Sequence, residues 1–164
     1  MEKNLLKLMQ VFSLAIIMAI VIPLTTHAQT GKANFSGTWV LNTEKSTIPQ
    51  GGGGQRMGGN FTVAQEGNLL TQTRTTQDGS TRVTKYTLDG KESVNSTGGG
   101  ESKSTAKWSA DGKTLTIVTK ATYNGNERTS SAVWSLKDAK TLSILSTRQG
   151  RDGEVKATLV YDKK

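Results

Sequence analysis

The residue types that carry most enzyme chemistry are nearly missing from this chain of 164 residues: it has no cysteine, and its only histidine is His27. A Ser-His-Asp or Cys-His pair therefore cannot be assembled in the body of the protein, nor can a zinc or haem site built on His or Cys, nor a disulfide framework. Carboxylates are present, but Asp78, Asp89, Asp111, Asp138 and Asp152 all fall within turn signals. Turn chemistry accounts for them without the facing pair that glycoside hydrolysis requires. No Asp-x-Asp-x-Asp-Gly run offers a calcium loop. The glycine-rich stretches GGGGQRMGG and GGGESKST lack the spacing and the Gly-Lys-Ser/Thr ending of a phosphate loop. No catalytic residue, metal or cofactor is expected.

What remains is recognition chemistry. Arg82 shares a strand face with Tyr86 and Leu88, and Arg128 shares one with Ser130, Ala132 and Trp134. A guanidinium suits a carboxylate because its planar fork donates two parallel hydrogen bonds. Leu115, Ile117 and Tyr161 occupy apolar faces of two further segments. If these faces point inward, the interior is apolar but punctuated by hydroxyls and a guanidinium, which suits a ligand with an apolar body and a polar end. The candidate ligand-binding residues are thus Arg82, Tyr86, Leu115, Ile117, Arg128, Trp134 and Tyr161. The plainer alternative is a filled core with the arginines in water at its rim. Arg74 reads either way, and Trp39 reads best as an aromatic plug at one end.

Those side chains need elements to hold them. Residues 1–28 combine Lys3 and Lys7 with an apolar run, Val11–Leu24, and a small-residue exit at Thr26-His27-Ala28. This is the layout of a secretory signal peptide cleaved after Ala28, and the run is short of the roughly 20 residues a membrane-spanning helix needs. A periplasmic or secreted location and no stable membrane span are expected. Removing that segment takes away Glu2, Lys3 and Lys7 and leaves 136 residues, with 19 basic against 12 acidic side chains. That is one domain, expected as a monomer, with residues 47–60 as a flexible Gly-rich loop. The basic residues are scattered and aromatics make up only 5% of the chain, thin for stacking on bases. No nucleic acid partner is expected.

After residue 60, turn signals recur every 9 to 14 residues or so, at Gly67-Asn68, Asp78-Gly79, Asp89-Gly90, Gly98-Gly99-Gly100, Asp111-Gly112, Asn124-Gly125, Lys137–Lys140 and Asp152-Gly153. Asp-Gly and Asn-Gly tolerate the positive φ of a tight hairpin. The intervening segments alternate with period two, as in Leu115, Ile117, Thr119, Ala121 and Tyr123, or Val155, Ala157, Leu159 and Tyr161. Ser and Thr number 38, and threonine favours strands. Adding Phe35–Leu41 gives ten strands. A hairpin series of that length can remove its edges by closing, so an all-β, up-and-down antiparallel barrel is predicted. A β-sandwich would need several long Greek-key crossovers, and no connection except residues 43–60 is long enough. An outer-membrane barrel would need an outward apolar band where this sequence places Thr, Lys, Gln and Ser.

The segment NFSGTWVL, Asn34–Leu41, resembles the first strand of the calycins, the lipocalins and fatty-acid-binding proteins, whose signature Gly-x-Trp matches Gly37-Thr38-Trp39. The closing LVYDKK, Leu159–Lys164, is similar to the last strand of the fatty-acid-binding family. The whole also resembles secreted bacterial lipocalin-like proteins. The resemblance implies a barrel that carries a small apolar molecule. It also marks two departures. The family holds a carboxylate with an arginine two residues before the last-strand Tyr, where this chain has Leu159. The family's two lid helices would fall in Thr43–Asn60, where only Thr43–Ser46 has room for a helical turn. The expected function is a non-enzymatic exported carrier of a small, largely apolar, lipid-like ligand. The alternative is an interaction module of the cell envelope with a filled core.

Overall fold

The structure, a computed structural model, describes residues 31–49, 58–76, 78–97, 100–123, 125–150 and 153–164. The signal-peptide expectation for 1–28, most of the Gly-rich loop (50–57), and the turn residues Gly98, Gly99, Asn124 and Asp152 lie outside the described residues.

Ten strands follow in order: β1 (Gly37–Thr47), β2 (Phe61–Glu66), β3 (Leu69–Thr75), β4 (Thr81–Thr87), β5 (Glu92–Thr97), β6 (Gly100–Trp108), β7 (Thr114–Tyr123), β8 (Asn126–Asp138), β9 (Thr141–Gly150) and β10 (Gly153–Lys163). They form one antiparallel sheet ordered β4-β3-β2-β1-β10-β9-β8-β7-β6-β5. Every consecutive pair is a hairpin except β4 and β5, the two ends of the sheet, and β1 is zipped to β10. The result is a nearly closed, all-β, up-and-down barrel.

The turns form where local chemistry favours them. The Oδ1 atoms of Asp78, Asp89, Asp111 and Asp138 each accept the backbone N–H two residues on, at 3.1, 3.0, 3.0 and 2.7 Å. Gly79, Gly90 and Gly112 take the positive φ that follows, at 80°, 80° and 68°. At Gly100 the constraint is space: a Cβ there would stand 2.7 Å from the Thr122 carbonyl oxygen.

The first strand corrects two expectations. It ends at Thr47 rather than Leu41, and Thr43–Ser46 is not a helical turn. Pairing with β10 shifts register between Asn42 and Thr47, so this stretch bulges out of the ladder. Side chains replace the interrupted bonds. The Asn42 amide donates to Asp162 Oδ2 at 2.7 Å and its Oδ1 accepts the Lys45 N–H at 3.0 Å, while the Val160 N–H donates to Ser46 Oγ at 2.9 Å. The strand persists because β10 is long enough to partner it past the bulge.

The gap between β4 and β5 is likewise bridged by side chains. Asn95 accepts the Lys85 N–H at 2.8 Å and donates to the Lys85 carbonyl at 2.9 Å, so its carboxamide stands in for a backbone peptide. Two residues along, Ser93 Oγ accepts the Thr87 N–H at 2.8 Å.

The core is lopsided along the barrel axis. At the end carrying the β2–β3, β4–β5, β6–β7 and β8–β9 turns, the N-terminal segment folds across and closes the opening. Ala33 donates its N–H to Gly112, and Gln65 clamps the segment by accepting the Phe35 N–H at 3.0 Å and donating to the Ala33 carbonyl at 3.0 Å. Phe35 is fully buried, stacked on Trp108 at 5.7 Å and edge-on to Trp134 at 5.6 Å. Trp39 is also fully buried, with Nε1 donating to the Phe35 carbonyl at 2.8 Å. A second aromatic layer of Phe61, Trp134 and Tyr161 lies above, with centroid spacings of 5.6 and 4.8 Å from Phe61 to the other two. Beyond that floor, toward the other set of turns, the barrel is not filled.

Candidate functional site

Period two along the strands decides which side chains meet above the aromatic floor. In β3 the inward positions are Leu70, Gln72 and Arg74; in β6 they are Ser102, Ser104 and Ala106; in β7, Leu115, Ile117 and Thr119. The register then sets their depth. Leu115 lies opposite both Trp108 and Trp134, in the packed end, whereas Thr119 lies opposite Ser104 and Ser130. Each strand therefore passes from apolar to polar as it rises, and the interior with it.

Two adjoining cavities result. The inner one, about 180 Å³, is floored by Ile117, Trp134, Ile144, Leu159 and Tyr161. The outer one, about 760 Å³, is walled by hydroxyls and by four arginines, Arg74, Arg82, Arg128 and Arg148. Gln72, Arg74 and Tyr86 border both. Neither lining contains an Asp, Glu or His.

At the boundary three donors converge. Tyr161 is fully buried and Gln72 is 6% exposed; Gln72 Nε2 has no hydrogen-bond partner, and the Tyr161 hydroxyl faces only the Arg74 guanidinium, a donor, so its own proton has no acceptor. Arg74 stands over the Phe61 ring at 4.6 Å and donates to the Gly59 carbonyl at 3.3 Å. Burial pushes the Tyr86 and Tyr161 hydroxyls above their ordinary 10.0, and the positive charge of Arg74 partly opposes this. Unsatisfied buried donors cost free energy until an acceptor meets them. Three donors facing an apolar floor, with no anionic side chain in the lining, are chemically suited to an oxyanion attached to an apolar body.

The residues singled out from sequence are distributed through this space as follows. Ile117, Trp134 and Tyr161 line the inner cavity, Tyr86 borders both, and Arg82 and Arg128 stand exposed on the wall of the outer one. Leu115 borders neither cavity and belongs to the packed end. Sequence reasoning missed Gln72 and left Arg74 undecided. The signal was the spacing Leu70-x-Gln72-x-Arg74, which puts both polar groups on the face of a buried leucine. Among the described residues no group of His, Cys, Asp and Glu could hold a metal ion. No helix of the described residues is long and apolar enough to cross a membrane.

The titrating groups set the pH range of the fold. Hydrogen bonds from Thr76 and Ser80 hold Asp78 at about 2 against an ordinary 3.8. Asp89, Asp111, Asp138 and Asp162 are lowered too, chiefly by hydrogen bonds from Lys91, Ser109, Lys140 and Asn42 respectively. Their contribution is complete above the unfolded value and is lost as pH falls from about 4 toward 2. The raised tyrosines act in the opposite sense: their contribution is complete below pH 10 and is lost as pH rises beyond it. Urea midpoints measured across pH should therefore form a plateau that falls away at both ends. A steep change between pH 5 and 8 would contradict this.

No protein-family model matches the sequence, and no curated protein matches it either. Solved structures do match in shape. The zebrafish ileal bile acid-binding protein, in complex with cholic acid, aligns with a TM-score of 0.57 at 15% identity, covering 79% of this chain and 98% of its own. A secretory abundant heat soluble protein from Ramazzottius varieornatus gives 0.56 at 13% identity, covering 79% and 95%. Secretory abundant heat soluble protein 4 from the same organism gives 0.52 at 13%, covering 79% and 94%. The fold is calycin-like, as the Gly-x-Trp strand and the ten-strand count implied.

Proposed function

We propose that this chain is a non-enzymatic, exported, monomeric binding protein whose open half carries a small, largely apolar molecule with an acidic end. The observation that carries this reading is the pair of buried donors without an acceptor, Tyr161 Oη and Gln72 Nε2, beside Arg74 and above an aromatic floor. An apolar chain or ring would lie against Ile117, Trp134 and Leu159, and its acidic group would meet the three donors. Arg74, reaching in from β3, takes the part of the last-strand arginine that Leu159 replaces. The absence of Asp, Glu, His and Cys from both linings favours holding over chemistry. The cholic acid complex of the zebrafish neighbour is a case of this barrel shape holding an apolar body with a carboxylate. The lysine- and hydrophobe-patterned residues 1–28 support export. A filled-core interaction module fits the closed end of the barrel but not the open one.

Isothermal titration of dodecanoate and dodecanol into the purified protein tests the reading. Dodecanoate is expected to bind, and Arg74→Gln is expected to weaken it by about 10- to 100-fold, as for loss of a charge-assisted hydrogen bond. Dodecanol, which lacks the charge, should lose less than about threefold. Failure of dodecanoate to bind, or equal losses for the two probes, would count against the carrier.

A further inference from the structure

The donors of Gln72 and Arg74 stand at a boundary, and the two sides of that boundary differ in kind. Both residues border both cavities, as do Thr119 and Ser130. On the inner side lies the apolar floor of Ile117, Trp134, Ile144 and Leu159. On the outer side lies the larger space, about 760 Å³ against 180 Å³. Its wall carries the hydroxyls of Thr84, Ser102, Ser104 and Thr119, and Ala121 is the one aliphatic side chain in it among the described residues. A carboxylate ends a molecule. With its oxygens on the donors and its chain on the floor, it leaves the outer space to water. A phosphodiester continues past its own charge. Its two anionic oxygens can accept from Arg74, Gln72 Nε2 and Tyr161 Oη, and its two ester arms point apart, one toward the floor and one toward the hydroxyls.

Resting on the carrier reading above, we infer that the acidic group of the ligand is a phosphodiester, with an apolar chain on its inner arm and an uncharged, hydroxylated headgroup on its outer arm. The wall of the outer cavity selects the headgroup. A cationic one would enter a space lined by Arg74, Arg82, Arg128 and Arg148 and meet no Asp or Glu among the described residues of the lining. A polyol meets groups of its own kind. Each Ser or Thr hydroxyl offers one proton and two lone pairs. Ser104 Oγ and Thr119 Oγ1 share a single hydrogen bond of 2.8 Å, and Ser102 Oγ donates to the Asn95 carbonyl at 3.3 Å. Both arrangements leave hydrogen-bonding capacity for a ligand's hydroxyls.

The test is isothermal titration of three probes that share one chain length, each below its micelle-forming concentration: dodecanoate, dodecylphosphoglycerol and dodecylphosphocholine. In the native protein the glycerol diester is expected to bind about tenfold tighter than dodecanoate and about tenfold tighter than the choline diester. In the double variant Ser104→Ala, Thr119→Val the advantage of the glycerol diester over dodecanoate should fall below about threefold. Removing both partners of one hydrogen bond leaves neither unsatisfied, so a thermal melt close to the native one is expected and serves as the folding control. A glycerol diester that binds no tighter than dodecanoate overturns the phosphodiester and leaves the carrier standing. A choline diester that binds as tightly as the glycerol one overturns the headgroup assignment, and so does an advantage that survives the double substitution. Binding of none of the three overturns both readings together.

Discussion

Replacing Trp39 with alanine is expected to destabilise the protein by about 3–5 kcal/mol, the usual range for deleting a large core aromatic. The side chain is fully buried where β1 meets the N-terminal segment, and the ammonium of Lys163 stands over its ring at 5.4 Å. Its loss would also strand the Phe35 carbonyl, which accepts the indole N–H. Phe35 is in turn the ring on which Trp108 and Trp134 rest, so the cavity left behind lies at the keystone of the closed end. Trp39→Phe keeps most of the apolar contact and gives up the hydrogen bond, for which about 1–2 kcal/mol is expected. Urea melts of the two variants, read for midpoint at constant slope, check both values. A loss under about 1 kcal/mol for the alanine variant would show that the closed end reseals without its plug.

The second large effect is expected at the seam between β4 and β5. Asn95 is 8% exposed and meets both polar groups of the Lys85 backbone. Asn95→Ala deletes both bonds and leaves the part-buried N–H and carbonyl of Lys85 without their partner, so about 1–3 kcal/mol is expected. Asn95→Asp keeps an acceptor for the Lys85 N–H but turns a second oxygen toward the Lys85 carbonyl, and should be no milder. The diagnostic readout is hydrogen exchange. In Asn95→Ala the Lys85 and Thr87 amides should exchange faster than those within the β7–β8 ladder, whose protection should fall only by the global loss of stability. Unchanged exchange at Lys85 would mean that something other than this carboxamide holds the two strands together.

The strand count was legible because each hairpin is set by a few adjacent residues. Asp111-Gly112, for example, needs only the Lys113 N–H and a positive φ to reverse the chain. The inward faces of β7 and β10 were legible for the same reason: alternation is local. Depth along a strand was not. Leu115 and Ile117 share a face, yet only Ile117 reaches a cavity, and register with β6 and β8 decides that across distant parts of the chain. Arg74 was equally opaque. Its inward direction follows from Leu70, but its role depends on Phe61 and Gly59, which come from another strand and the connection before it. The bulge after Asn42 depends on Asp162 and Val160, more than a hundred residues away, which no window around Thr43–Ser46 contains.

That pairing of β1 with β10 also fixes an order of assembly. The Asn42–Asp162 bond joins groups 120 positions apart, and the whole β1 edge waits for the last strand to arrive. Hairpins such as β7–β8 can form as soon as they are made, but the ring cannot shut while β10 is missing. Such non-local closure belongs to the slow, millisecond-to-second class of folding reactions. Until it happens, β1 and β9 each present an unpaired border to neighbouring chains. A nascent or clipped chain lacking β10 is therefore the species most prone to stick to copies of itself.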